Sequence, residues 1–162
     1  MKIYRKTWKQ NIHADFDEVW SFFSRPENLN VITPENMKFE ILSDMNGVKM
    51  YPGILIDYKV SPFPLVSMNW QTEITEIEHR KKFVDEQRKG PYKLWRHQHI
   101  FTDKGDHIEM EDILEYALPF GVLGQLVNSL LVSRRIDQIF EYRYKKINEI
   151  FNNSTDTTPL FV

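Results

Sequence analysis

The stretch from Gly121 to Phe151 contains no proline, and no glycine after Gly124. In its second half Val132, Ile136, Ile139, Phe140, Ile147 and Ile150 recur at helical spacing. A helix of that extent spans on the order of 40 Å, beyond the few turns usual in globular proteins. One apolar stripe of such length needs an equally long partner surface. The first half differs: Leu123, Leu126, Val127, Leu130 and Leu131 project over a wider arc. Two readings stand for it, a helix end covered by a loop or the roof of a cavity.

What precedes this helix supplies the partner surface. Tyr4, Trp8 and Ile12 fall on one side of a first strand. Asp15-Phe16-Asp17-Glu18 has the form of a capping box, with Asp in place of Ser or Thr. A short helix follows, and Pro26 suits the first turn of a second. Thr33-Pro34 ends it, because the residue before proline avoids the helical region. From about Lys38 to Ala117 the signals are those of strands. Ile54, Ile56, Tyr58 and Val60 alternate with polar neighbours, as do Met68, Trp70, Thr72 and Ile74. Turns are expected at Lys89-Gly90-Pro91 and Asp103-Lys104-Gly105-Asp106. Strands grouped apart from helices indicate an α+β fold rather than parallel βαβ units. A single domain over 1–151 is expected, with 152–162 a flexible tail.

Composition narrows the function. The chain has 162 residues, a net charge of −2 and no concentrated basic run, so binding to a nucleic-acid backbone is not expected. With no cysteine, thiol catalysis, disulfides and thiolate zinc sites are excluded. No apolar run reaches the ~18–20 residues of a membrane span, and the N-terminus lacks the apolar core of a secretory signal. A cytoplasmic protein with no integral membrane association is expected.

The strands carry an unusual inner face. In Tyr92–Phe101, one side holds Tyr92, Leu94, Arg96, Gln98 and Ile100; the other holds Trp95, His97, His99 and Phe101. The second set is bracketed by aromatics and is placed inward. A two-residue turn at Lys104-Gly105 sets His97 opposite Asp112, His99 opposite Met110 and Trp95 opposite Leu114. The last strand separately puts Ile108, Met110, Asp112, Leu114 and Tyr116 on one face. His97 and Asp112 are then within hydrogen-bonding reach. Inward imidazoles and a carboxylate are costly unless satisfied. They can be paired polar groups at a pocket rim, an acid–base pair in which Asp112 orients His97, or metal ligands. Asp112 is the obvious partner of His97 and also the carboxylate a metal would need, so hydrogen bonding is the more economical arrangement and no metal is assigned. In it, the second nitrogen of His97 faces the pocket as a polar handle. A two-residue turn at Lys89-Gly90 points Val84 and Glu86 inward; a three-residue turn points Phe83, Asp85 and Gln87 inward, with Phe83 opposite His97. Phe83 is the better core residue, which favours the second. On the helix, Gln125, Ser129, Ser133 and Arg143 lie near the Ile136 stripe, where helix-edge solvation is the plain explanation.

Phe22-Phe23-Ser24-Arg25-Pro26-Glu27-Asn28-Leu29, the run Phe83-Val84-Asp85-Glu86-Gln87 through Trp95, His97 and His99, and Tyr116-Ala117-Leu118-Pro119-Phe120-Gly121 resemble a bacterial branch of the SRPBCC superfamily (START-like, polyketide cyclase/dehydrase and lipid transport). The resemblance covers about residues 1–150. It implies the helix-grip fold, a curved antiparallel sheet of about seven strands gripping a long C-terminal helix with a cavity between them. It brings no catalytic assignment with it, since fold does not decide function.

The expected function is binding, with transport as an extension of it, of a hydrophobic or aromatic small molecule or lipid in that cavity, with no cofactor. Its sheet-side contacts are expected to be Tyr58, Trp70, Asp85, Gln87 and Trp95, then His97, His99, Met110, Asp112 and Tyr116. Leu126, Ser129, Leu130 and Ser133 are expected from the helix. One alternative is a cyclase or dehydratase-like enzyme in which His97 or His99 acts as acid or base, with Asp112 orienting. Another is an interaction protein whose cavity is vestigial, with room for no more than a water or two.

Overall fold

The computed structural model describes residues 1–127, 131–152 and 160–161. Strand β1 (Tyr4–Ile12) opens the chain and leads into α1 (Phe16–Phe23). As the capping box requires, the Asp15 carboxylate accepts from the backbone N–H groups of Asp17 and Glu18, at 2.9 and 3.2 Å. Two 3-10 turns, Pro26–Asn30 and Glu35–Met37, carry the chain to the short β2 (Glu40–Ile41). Then come β3 (Leu55–Phe63), β4 (Val66–Glu78), β5 (Lys82–Lys89), β6 (Leu94–Asp103) and β7 (Ile108–Ala117). Helices α2 (Gly121–Val127) and α3 (Ser133–Phe151) follow, and β8 (Leu160–Phe161) comes last. One antiparallel sheet runs in the order β2-β3-β4-β5-β6-β7-β1-β8. Its concave face grips α3, so the fold is the helix-grip fold that the resemblance implies. No described helix is long and apolar enough to cross a membrane.

The sheet and α3 close at one end on a dry core. Ile12, Phe16, Trp20, Phe23 and Phe101 meet Ile147 and Phe151 of α3 there. Nearer the start of α3, Leu114 and Tyr116 pack with Val132, Ile136 and Phe140. Trp8 lies flat on Phe140, with ring centroids 3.8 Å apart and planes 1° apart. Polar ties fix the helix axially. The Gln10 amide donates to the Tyr144 carbonyl and to Asn148 Oδ1, both at 2.9 Å, and Lys6 reaches Asp137 at 2.6 Å.

Three expectations need correction. The long helix is described as α2 and α3, with residues 131–132 also helical and 128–130 outside the described residues. In α2, Val122, Leu123 and Leu126 are exposed; these residues form a surface and not a roof. Both hairpin registers are two residues off. Across β6 and β7, His99 opposes Asp112, His97 opposes Leu114 and Trp95 opposes Tyr116, because the turn sits one residue later than expected: Lys104 N–H donates to the His107 carbonyl at 2.9 Å, with Gly105 and Asp106 between them. Across β5 and β6, Phe83 opposes His99 and Asp85 opposes His97. A slip of two keeps every side chain on its face, so the inward sets are as expected. Of the stretch expected to fray, Leu160–Phe161 pair with Lys9 and Trp8 at the edge of β1.

Candidate functional site

Between the concave face and α3 lies a cavity of about 180 Å³. That is several times the share of a water molecule in the liquid, ~30 Å³, and similar to apolar cavities of ~150 Å³ known to take up benzene. The vestigial alternative required a filled interior, and this one is open. Phe39, Ile56, Tyr58 and Ile74 form one wall, and Ile136, Ile139 and Phe140 of α3 form the opposite one. At one side Trp70, Tyr92 and Trp95 make an aromatic cluster, with Trp70 edge-on to Trp95 at 5.1 Å and Tyr92 4.7 Å from Trp95. The indole N–H of Trp70 is held by Thr72 Oγ1 at 3.1 Å. Burial pushes the phenols of Tyr58 and Tyr92 up, above the ordinary tyrosine range.

The polar part of the wall is a ring of alternating imidazoles and carboxylates. His97 Nε2 pairs with Asp112 Oδ1 at 3.0 Å, and His97 Nδ1 lies 3.4 Å from Asp85 Oδ2. His99 Nε2 pairs with Asp85 Oδ2 at 3.2 Å. His99 Nδ1 is 2.9 Å from Asp112 Oδ1 but out of line for a hydrogen bond. The two imidazole centroids are 3.9 Å apart. Phe83 stacks on His99 at 4.1 Å and Phe140 meets His97 edge-on at 5.2 Å, so apolar rings flank the cluster and little water screens it.

The geometry sets the charge states. Burial alone would push Asp85 and Asp112 up; hydrogen bonds and the charge of His97 and His99 outweigh it and hold both carboxyls well below the usual range. Burial opposes protonation of His97, but hydrogen bonds to Asp112 and Asp85 prevail and raise it. A neutral His97 would turn a lone pair toward one of its two carboxylates, whereas a protonated one donates to both. The expected arrangement, with a free His97 nitrogen facing the cavity, is therefore not the observed one: Asp85 takes that nitrogen. As chemistry, the cluster is an imidazole whose protonation two carboxylates favour, beside an apolar chamber. Asp85, His97 and His99 also offer ligand atoms within 4.8 Å of one another. A metal there would have to displace the contacts to Asp85 just described.

The residues expected at the site divide as follows. Tyr58, Trp70, Asp85, Trp95, His97 and His99 line the cavity. Asp112 stands behind the histidines, and Met110 and Tyr116 are buried in the cores flanking the cavity; these three are not on the cavity wall. Gln87 is not on the wall either: its side chain clamps the β5–β6 loop, donating to the Tyr92 carbonyl at 2.7 Å and accepting from the Tyr92 N–H at 3.2 Å. Ser133 begins α3 away from the wall, and Leu126 is exposed. Ser129 and Leu130 lie outside the described residues. Tyr92, expected outward with Leu94 and Arg96, lines the cavity because it precedes β6 and is free of that strand's alternation. Arg143, read as a helix-edge residue, is buried and faces the cavity; its position on the Ile136 stripe was the available signal.

Residues 12–139 match the family described as polyketide cyclase / dehydrase and lipid transport. No curated protein sequence matches the chain. Among solved structures, a Chromobacterium violaceum protein superposes with a TM-score of 0.69 at 8% identity, covering 91% of this chain and 96% of that one. A Thermus thermophilus protein gives 0.65 at 14% identity, covering 94% and 100%. Norcoclaurine synthase from Thalictrum flavum, in complex with dopamine and hydroxybenzaldehyde, gives 0.62 at 16% identity, covering 91% and 88%. At these identities the likeness is one of fold.

Proposed function

Because the chain belongs to the polyketide cyclase / dehydrase and lipid transport family, we propose that it binds a small hydrophobic or aromatic molecule between sheet and α3. The observation that carries this reading is the cavity of about 180 Å³, walled by aromatic and aliphatic side chains with a few convergent polar groups. An unoccupied space of that size forfeits packing contacts along its lining, and a ligand would restore them. The volume suits a body of one or two rings or a short chain rather than a whole membrane lipid. A cytoplasmic location belongs to the same reading. Native mass spectrometry of protein purified from its own cell tests it. A one-to-one mass increment, released on unfolding and absent from Ile139→Trp, is the expected result. Ile139 lines the cavity from α3, and an indole there fills the space. An unliganded wild type that also takes up no small aromatic compound would defeat the reading.

A second reading is favoured by one observation, the placement of His97 on the cavity wall between Asp112 and Asp85, whose carboxylates favour its protonated form. A cyclase or dehydratase-like enzyme needs a proton donor near a carbonyl oxygen and a base near the adjacent carbon. His97 would donate, and loss of its proton would leave the imidazole as base. Deuterium exchange into the α-carbon of 2-tetralone, followed by NMR with wild type and His97→Gln, distinguishes the two. Exchange that depends on His97 supports an enzyme; exchange no faster than in buffer leaves the binding module.

A further inference from the structure

Arg143 is 8% exposed, yet it faces the cavity from the middle of α3. Its Nε and Nη1 are buried with no hydrogen-bond partner. Its guanidinium carbon lies 4.9 Å from the centre of the Phe140 ring, and among the described residues no carboxylate lies within ion-pair distance of it. The other arginines on the same wall repeat this. Arg135 donates to the neutral Pro62 carbonyl and Asn36 Oδ1, at 2.7 and 2.9 Å, and Arg25 has no carboxylate partner among the described residues. On the outer face, by contrast, Arg88 pairs with Glu73 and Glu86, and Arg96 with Glu76, Glu86 and Glu115. The one carboxylate on the cavity wall among the described residues, Asp85, is occupied by His97 and His99.

A buried charge without a counter-charge is costly and is normally paired. Here the guanidinium-bearing side chain lines the cavity. Guanidinium groups match carboxylates in geometry and in hydration. We propose that the molecule this cavity takes is an organic acid, an apolar body bearing one carboxylate, and that Arg143 receives the carboxylate. The inference rests on the reading of the cavity as a ligand site and adds the chemical class of the ligand. The apolar body packs among Ile136, Phe140 and the Trp70–Trp95 cluster; Arg25 and Arg135 add positive potential at the same wall.

The test uses matched acids and amides: benzoate and benzamide, 2-naphthoate and 2-naphthamide, decanoate and decanamide, titrated calorimetrically at about pH 7. In wild type, at least one acid binds more than about tenfold tighter than its amide. In Arg143→Met that ratio falls to about one while the amide binds as before, and Arg143→Lys keeps part of the preference. Amides binding as tightly as acids, or a preference that survives Arg143→Met, would overturn the inference and leave the cavity reading standing. If no member of any pair binds, both fall. Thermal unfolding gives a separate check. Replacing an unpaired buried cation by Met should leave the melting temperature unchanged or raise it. A melting temperature well below wild type would make Arg143 a structural residue and overturn the proposal.

Discussion

Asp112 stands directly across the β6–β7 ladder from His99, yet its 3.0 Å hydrogen bond runs diagonally to His97. The diagonal leaves room for Asp85, opposite His97 on the other side, to face both imidazoles. Each carboxylate therefore faces two rings, and the four side chains form one polar unit.

This unit predicts a pH profile. The value for His97 is raised from the ordinary 6.5, so its stabilisation is complete below about 6.5 and is lost as pH rises through the raised value. Those for Asp85 and Asp112 are lowered from 3.8, so theirs is complete above about 3.8 and fades as pH falls through the depressed values. Stability from the cluster is greatest between these limits. Asp112→Asn should cost about 3 kcal/mol within the window and flatten the decline on its alkaline side. Denaturant unfolding from acid to alkaline pH measures both. A variant as stable as wild type throughout would contradict the ring.

Faces were readable and registers were not, for one reason. Alternation along a strand depends only on parity, so Trp95, His97 and His99 could be set inward from their aromatic brackets. Register depends on where the turn sits. The turn closed by Lys104 and His107 is centred on Gly105-Asp106, one residue later than Lys104-Gly105, and each residue of shift in the turn moves the pairing by two. The same two-residue error hid Asp85 as a partner of His97, and with it the second carboxylate of the cluster. The exposure of α2 was hidden because leucines that cover a cavity and leucines that face solvent carry the same periodicity. Arg143 was legible in position but not in burial, since a charged residue on an apolar stripe usually extends its head to water.

Phe140 links three groups: Trp8 stacked on it, His97 at its edge and Arg143 beside it. Phe140→Ala should destabilise the fold by about 3–5 kcal/mol, measured by urea unfolding. Phe140→Leu, which keeps most of the volume but loses the stack, should cost less than half as much.

The Gln87 clamp depends on a bare backbone at Gly90. A Cβ there would clash with Gln87 Oε1. Gly90→Ala should break the clamp on Tyr92 and cost about 1–2 kcal/mol, read in thermal unfolding. Gln87→Ala should cost a similar amount, and the double variant little more than either alone.

Leu126 is 56% exposed and is not on the cavity wall. Leu126→Trp should therefore leave 2-naphthoate affinity within about twofold of wild type, whereas Ile139→Trp should abolish binding. Calorimetry on the two variants makes the comparison. Loss of binding in Leu126→Trp would bring α2 back over the cavity.

The chain has four tryptophans, and the fold distributes them as probes. Trp70 and Trp95 line the cavity, Trp20 lies in the dry core, and Trp8 rests flat on Phe140. A molecule entering the cavity changes the surroundings of the first two and not of Trp20. Emission colour then reports occupancy, while near-ultraviolet dichroism from the stacked and core rings reports integrity. Binding and unfolding can thus be followed separately in a single unlabelled sample.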